Sequence, residues 1–149
     1  MAELVRGTGV PLFDRLSQTD GVAQGQLLTP QQLELSIARE LSRMLNTRSR
    51  LSVDAFSSAS GTLDYGIPDV SSLSPRSQQD MERLQVAVAH AVCCYEPRLK
   101  NVKVKAFSVA AGQAAAMVIS GDVTIQMKLQ PLSFELQLDA RHGGLAKVG

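Results

Sequence analysis

The stretch MVISGDVTIQMKLQPLSFELQLD, residues 117–139, decides the fold class, because apolar and polar residues alternate along it. The apolar residues of its first part share one parity: Met117, Ile119, Val123, Ile125, Met127 and Leu129. Those of its second part are Leu132, Phe134, Leu136 and Leu138. Successive side chains of a strand point to opposite faces, so such alternation indicates an antiparallel sheet with one solvated face. The pattern predicts two strands, 117–129 and 132–138.

A third strand is predicted ahead of these two. Val102, Val104 and Ala106 alternate there with Lys103, Lys105 and Phe107. Gly121 occupies an apolar position of the second run, which predicts a bulge or a bend at that point. The three runs together predict a three-stranded antiparallel meander.

A helix is predicted to begin after Thr29, which offers an N-cap hydroxyl before Pro30 and a Gln three residues later at Gln32. Its apolar residues recur at helical spacing up to Asn46: Leu33, Ile37, Leu41, Met44 and Leu45. Charged residues surround them, among them Glu34 and Glu40, so we expect one packed face and one solvated face.

A second helix is predicted from Ser74-Pro75 to about Tyr95, where Pro97 ends it. Its buried stripe is predicted to comprise Met81, Leu84, Val88, Ala91, Val92 and Tyr95, widened by Val86 and Ala87. Between the helices, residues 47–74 form a long loop whose length suggests a functional role. Its apolar and aromatic island, residues 63–70, is expected to be anchored.

The order of helix, long loop, helix and three strands predicts an α+β fold, with two main helices packed on the meander. Residues 29–149 form one predicted domain. Residues 1–28 are interpreted as a flexible N-terminal arm, whose apolar segment contains Leu12, Phe13 and Leu16 and must be buried on the domain or on a partner.

Composition excludes several classes of protein. The chain has 149 residues, a formal net charge of +1 and two cysteines, the neighbours Cys93 and Cys94. The near-zero charge argues against wholesale nucleic-acid binding, and adjacent cysteines do not form a disulfide scaffold. The sequence lacks a secretory signal layout and a sufficiently long apolar run for a membrane span. We therefore expect a soluble, cytosolic protein.

Catalytic and metal-binding patterns are weak. The histidines are His90 and His142, and neither lies in a motif that pairs a base with a nucleophile. Four glutamates are available for glycoside chemistry, but their spacing pairs none of them: Glu34, Glu40, Glu82 and Glu96. His90, Cys93 and Cys94 lie close on one helix but lack a fourth ligand. We predict no cofactor and no metal.

Two charged features each have two interpretations. The basic run of Arg98, Lys100, Lys103 and Lys105 either protects a sheet edge from unwanted pairing or contacts nucleic acid. The tripeptide Glu96-Pro97-Arg98 either closes the helix end with a local ion pair or recognises a partner through a bidentate contact.

Four motifs, in this order along the chain, carry a resemblance to a known family: residues 12–16 (LFDRL), 45–48 (LNTR), 63–69 (LDYGIPD) and 95–99 (YEPRL). The chain resembles the TssE family, small baseplate subunits of bacterial type VI secretion systems. That family is akin to the wedge proteins that initiate the sheath of contractile phage tails. The usual basic run is interrupted after Arg48, by Ser49-Arg50.

The resemblance implies a non-enzymatic, cytoplasmic subunit of a membrane-docked baseplate. It would join other baseplate wedge subunits and contractile sheath subunits, and take no small-molecule substrate. Ten residues are expected to bind partners: Glu96, Pro97, Arg98, Tyr65, Gly66, Pro68, Asp69, Leu12, Phe13 and Leu16. The family has also carried a lysozyme label, so the alternatives are a peptidoglycan hydrolase and a nucleic-acid binding module.

Overall fold

The computed structural model describes residues 28–56, 58, 64–74, 76–109, 114–125, 127–139 and 145–148. The predicted contacts of Leu12, Phe13 and Leu16 lie outside these residues. The elements are α1 (Pro30–Leu45), α2 (Val53–Phe56), α3 (Gln78–Tyr95), β1 (Leu99–Val109), β2 (Ala114–Ile125), β3 (Lys128–Asp139) and β4 (Leu145–Val148).

The sheet has the order β1-β2-β3-β4, and each pair of neighbours is antiparallel. The predicted α+β fold and its three-stranded meander are confirmed, and a short fourth strand extends the meander. This strand, β4, pairs with Glu135–Leu138 of β3. Four residues carry too little alternation to be recognised in a sequence, so β4 was not predicted.

The predicted continuation of the second strand to Leu129 is wrong. Ile125 pairs with Lys128 across the turn, so β2 ends and β3 begins within the alternating run. Met127 lies in the turn with a φ of 63° and is 95% exposed. Leu129 lies on the outer face of β3 and is 61% exposed. Odd-numbered residues face the core before the turn, and even-numbered residues face it afterwards. The alternation of apolar and polar residues continues through the turn, so the sequence pattern does not mark this change.

An irregularity occurs at Gly121, as predicted, but the bulge lies in the neighbouring strand. Lys100 pairs with Asp122 and Lys103 with Ser120, so two residues of β1 face Gly121 alone. One of them, Asn101, has a φ of 51°. A Cβ atom on Gly121 would lie 2.7 Å from the carbonyl oxygen of Lys100. Glycine is therefore required here for the close approach of β1 to β2.

The N-terminus of α1 is formed as predicted. Thr29 Oγ1 accepts a hydrogen bond from the Gln32 N–H at 3.2 Å, and Gln32 Oε1 accepts one from the Thr29 N–H at 2.9 Å. All five apolar residues predicted for its packed face are buried: Leu33, Ile37, Leu41, Met44 and Leu45. This face forms the core with α3 and the inner face of the sheet.

The start of α3 was predicted too early. Its N-cap is Ser77, whose hydroxyl accepts from the Asp80 N–H at 3.2 Å. Ser74 lies in a preceding turn, where its carbonyl accepts from the Ser77 N–H at 3.0 Å. Val86 is 57% exposed, so its predicted place in the buried stripe is wrong, whereas Ala87 is buried.

The long loop contains a short helix and an anchored segment. Phe56, at the end of α2, is fully buried and was not predicted as a core residue. Ile67 is anchored to the segment after α1: its N–H donates to the Thr47 carbonyl at 3.0 Å, and its carbonyl accepts from the Ser49 N–H at 2.8 Å. The expected anchoring of this island is thus confirmed.

Within the ranges given above, no helix combines the length and the apolar character that a membrane crossing demands.

Candidate interaction site at the helix-to-sheet corner

Glu96 and Arg98 form a buried ion pair where α3 turns into β1. Glu96 is the C-cap of α3, and its side chain is 2% exposed. Arg98 Nε donates to Glu96 Oε1 at 2.7 Å, and Nη2 donates to Oε2 at 2.6 Å. The Arg98 backbone N–H also donates to Oε1, at 3.2 Å. This bidentate geometry is the strong form of an arginine–carboxylate contact, so the ion-pair interpretation of the tripeptide is confirmed.

The same arginine connects the corner to α1. Arg98 Nη1 donates to Ser36 Oγ at 3.0 Å, and Ser36 is buried. The guanidinium therefore joins three elements, because Glu96 ends α3, the arginine leads into β1 and Ser36 belongs to α1. Pro97, between the two charged residues, is exposed.

The loop motif, residues 63–69, contacts α1 one turn beyond Ser36. The Tyr65 hydroxyl donates to Glu40 Oε1 at 2.5 Å, and Arg43 Nη1 donates to Glu40 Oε2 at 2.5 Å. The Tyr65 ring also meets the ring of Tyr95 edge-on, with centroids 5.2 Å apart. Since Tyr95 directly precedes Glu96, the two sequence motifs meet around one helix. Tyr65 lies 25 residues from Glu40 in sequence, and Arg98 lies 62 residues from Ser36.

The rest of the loop motif is mostly buried. Gly66 has a φ of 112°, and a Cβ atom there would lie 2.4 Å from the Thr47 carbonyl oxygen. Ile67 and Pro68 are buried, whereas Asp69 is exposed. The Ser71 N–H donates to Asp69 Oδ1 at 2.9 Å, and this hydrogen bond lowers the pKa of the Asp69 carboxyl. Asp69 is therefore the exposed charged residue of this motif, whereas Asp64 is half-buried.

Two residues of the corner were missed by the sequence analysis. Ser36 was not singled out, and Glu40 was assigned to the solvated face although its side chain is only 15% exposed. Both flank the apolar stripe, each three residues after one of its members, Leu33 or Ile37. That position on the border of the buried face is the signal that could have identified them.

The possible reactive groups have structural partners. All four carboxyl oxygens of Glu40 and Glu96 accept hydrogen bonds from within the chain. The His90 ring packs edge-on against Phe56, with centroids 5.5 Å apart, and Cys94 Sγ lies 3.6 Å from His90 Nε2. Among the residues that the structure describes, no group of three or more His, Cys, Asp or Glu side chains could hold a metal ion. His142 lies outside them.

The hydrogen bond of Tyr65 predicts that its hydroxyl ionises at a higher pH than that of an ordinary tyrosine. Burial, the hydrogen bond to Glu40 and the charge of Glu40 raise the pKa of Tyr65 above its ordinary 10.0, and burial raises that of Tyr95. The chain has two tyrosines and no tryptophan, so tyrosinate absorbance reports on these residues alone. We expect both to ionise above pH 10 in the folded protein.

A raised pKa keeps the proton on the folded state longer than on the unfolded state. The stabilisation is therefore complete below pH 10 and is lost as the pH rises through the folded-state pKa. Urea denaturation across the alkaline range should show this loss, and Tyr65→Phe should reduce it. Ionisation of both tyrosines near pH 10 in the folded protein would contradict the Tyr65–Glu40 contact.

Comparison with known proteins supplies the family. The sequence matches the family described as baseplate wedge protein gp25 over residues 31–131. Among solved structures, the fold is similar to a chain of the baseplate complex from the type VI secretion system, with a TM-score of 0.52 and 20% sequence identity. The likeness covers 72% of this chain and 94% of that chain. A search of curated proteins finds no significant match. Because the family match covers more than half of the sequence and includes both motifs of the corner, this chain belongs to the baseplate wedge protein gp25 family.

Proposed function

We propose that this protein is a non-enzymatic structural subunit of a type VI secretion baseplate, where it joins other wedge subunits and initiates polymerisation of the contractile sheath. The family match over residues 31–131 carries the proposal. The fold shared with a chain of a type VI secretion baseplate complex supports this choice of machine. Such a baseplate would act in the cytoplasm, docked on the membrane.

The corner is the proposed docking site for other wedge subunits. Its internal contacts fix the direction in which α3 leads into the sheet, because Arg98 bonds to both Glu96 and Ser36. Pro97 and Asp69 are the exposed members of the two motifs. A surface whose backbone is held by buried contacts loses little freedom on binding, which favours assembly. We propose that partner subunits contact this rigid surface, with Tyr65, Gly66 and Pro68 supporting it.

The sheet is the proposed starting surface for the sheath. An exposed strand edge offers unpaired N–H and C=O groups, and an extended segment of another chain can add to it as a further strand. Sheath subunits would contribute such segments. The contacts of Glu40 and Glu96 favour this structural role over peptidoglycan hydrolysis, because their oxygens already accept hydrogen bonds from Tyr65, Arg43 and Arg98.

The test uses variants that spare the buried ion pair. Asp69→Lys and Pro97→Glu change exposed residues of the two motifs, and Ser72→Lys changes an exposed residue of the same loop as a control. We expect tagged wild-type protein and Ser72→Lys to co-purify wedge and sheath subunits from the native cells. Both corner variants should recover several-fold less and form fewer sheaths at equal protein levels.

Two results would overturn the proposal. One is wild-type protein that recovers no wedge or sheath subunit. The other is purified protein that clears a suspension of cell wall and loses this activity in Glu96→Gln at a temperature where circular dichroism shows the variant to be folded, which would establish the hydrolase alternative.

A further inference from the structure

The two sides of the sheet differ in how well they could accept another strand. In the described part of the chain, β1 pairs only with β2, whereas β3 already has β4 along Glu135–Leu138. Resting on the proposed function, we infer that β1 is the edge that receives the sheath segment, and that it selects an extended segment in which apolar and acidic residues alternate.

The far side of the sheet is poorly suited to strand addition. Ahead of its pairing with β4, β3 contains Pro131, which pairs with Asp122 of β2. Proline is tolerated in a sheet where its missing N–H faces away from the neighbouring strand. The open side of β3 at this point therefore lacks a donor. Among the described residues, the outermost strand on this side is β4, Leu145–Val148, and its four residues can form a short ladder.

The edge at β1 has the opposite properties. It runs over 11 residues, Leu99–Val109, and contains no proline. Its inward-facing side chains Val102, Val104 and Ala106 are only partly buried against the core. An added strand would cover them further if it carried apolar residues at every second position, because such residues would face the same side of the sheet.

The outward face of β1 supplies the charge selection. Lys103 lies opposite Ser120 and Lys105 opposite Val118, and both lysines are exposed. Across the residues that the structure describes, neither lysine forms a salt bridge. Acidic residues at the outward positions of an added strand would lie beside them, and cross-strand pairs of opposite charge stabilise a sheet.

The same lysines would also disfavour self-association through this long open edge. If a second copy of β1 paired with the first, lysines would be brought beside lysines, and like charges on neighbouring strands are destabilising. The protective interpretation of the basic run and its proposed selection of an acidic segment thus follow from one property. Each lysine disfavours pairing with β1 of another copy and favours pairing with an acidic strand.

Two synthetic peptides test the inference on the full chain. One alternates valine with glutamate, and the other alternates valine with lysine. We expect the acidic peptide to bind and to protect the amides of β1 from hydrogen exchange, measured by NMR. Lys103→Glu/Lys105→Glu should bind it about tenfold more weakly, on the scale of two exposed ion pairs lost or reversed, and should now prefer the basic peptide.

The control variant is Lys128→Glu, which changes an exposed charge on β3 and should bind the acidic peptide within about twofold of wild type, as expected for a charge outside the site. Protection at residues 145–148 instead of β1 would overturn the choice of edge but leave strand addition intact. Equal binding of both peptides would overturn the charge selection. If the peptides bind at neither edge, both the choice of β1 and the charge selection are overturned. Failure of the wedge co-purification alone would contradict only the proposed function.

Discussion

Replacing Arg98 with methionine is expected to lower the free energy of unfolding by about 3–5 kcal/mol, because it leaves the Glu96 carboxylate buried without its charged partner. The carboxylate is 2% exposed and accepts two hydrogen bonds from the guanidinium. Methionine preserves much of the side-chain volume, so the loss reports mainly on charge and hydrogen bonding. Urea denaturation monitored by circular dichroism measures it.

The reciprocal change should cost less. Glu96→Gln leaves Arg98 with a polar neighbour, and the arginine side chain is 20% exposed, so water can solvate part of it. We expect a loss of about 1–3 kcal/mol, typical of one weakened charged contact. In the double variant, Glu96→Gln with Arg98→Met, the buried charge is gone, and most of the loss caused by Arg98→Met should be recovered.

Lys100→Met provides the control, because Lys100 is exposed and close in sequence. It should change the stability by no more than about 0.5 kcal/mol. If Arg98→Met behaved like this control, the pair would contribute little to the fold, and any effect of the tripeptide in cells would come from partner contacts. If the expected loss is found, any defect of Glu96 or Arg98 variants in cells must be interpreted together with their measured stability, because destabilisation alone can cause it.

The sequence predicts those parts of the fold that repeat a pattern over many residues. The α1 stripe from Leu33 to Leu45 is buried as expected, since five residues at helical spacing specify one face. The turn at Met127 was missed because an alternating pattern continued through it, and the pattern alone does not mark where the chain reverses. The start of α3 was misplaced for a related reason: Ser74 and Ser77 are equally suited to cap a helix, and Asp80 bonds to both.

The corner illustrates a different limit. Its two motifs were recognised individually, but both contact α1. The contacts of Ser36 and Glu40 form only when α1, α3 and the loop pack together. Phe56 was not predicted to be buried, because a single aromatic residue in a polar segment belongs to no repeating apolar pattern that would place it on a buried face. Contacts between residues distant in sequence arise from tertiary packing, which a local pattern does not encode.

Gly66→Ala is expected to destabilise the protein by about 3 kcal/mol or more, since a side chain at φ 112° is strained and its Cβ would meet a backbone oxygen. The oxygen belongs to Thr47, which also accepts the Ile67 N–H. Relief of the clash would move the loop away from the end of α1 and weaken that hydrogen bond and the one between Ser49 and Ile67, each worth about 1 kcal/mol.

The displacement should also be visible at Tyr65, which precedes the glycine. If the loop moves, the Tyr65 hydroxyl loses its contact with Glu40, and tyrosinate absorbance should rise at a lower pH than in wild type. Ser72→Ala, at an exposed position of the same loop, should leave both the stability and the titration unchanged. A Gly66→Ala protein with wild-type stability would mean that the loop is not held against Thr47. An unchanged titration in a destabilised protein would mean that Tyr65 keeps its place independently, so that the ring contact with Tyr95 holds this side of the corner by itself.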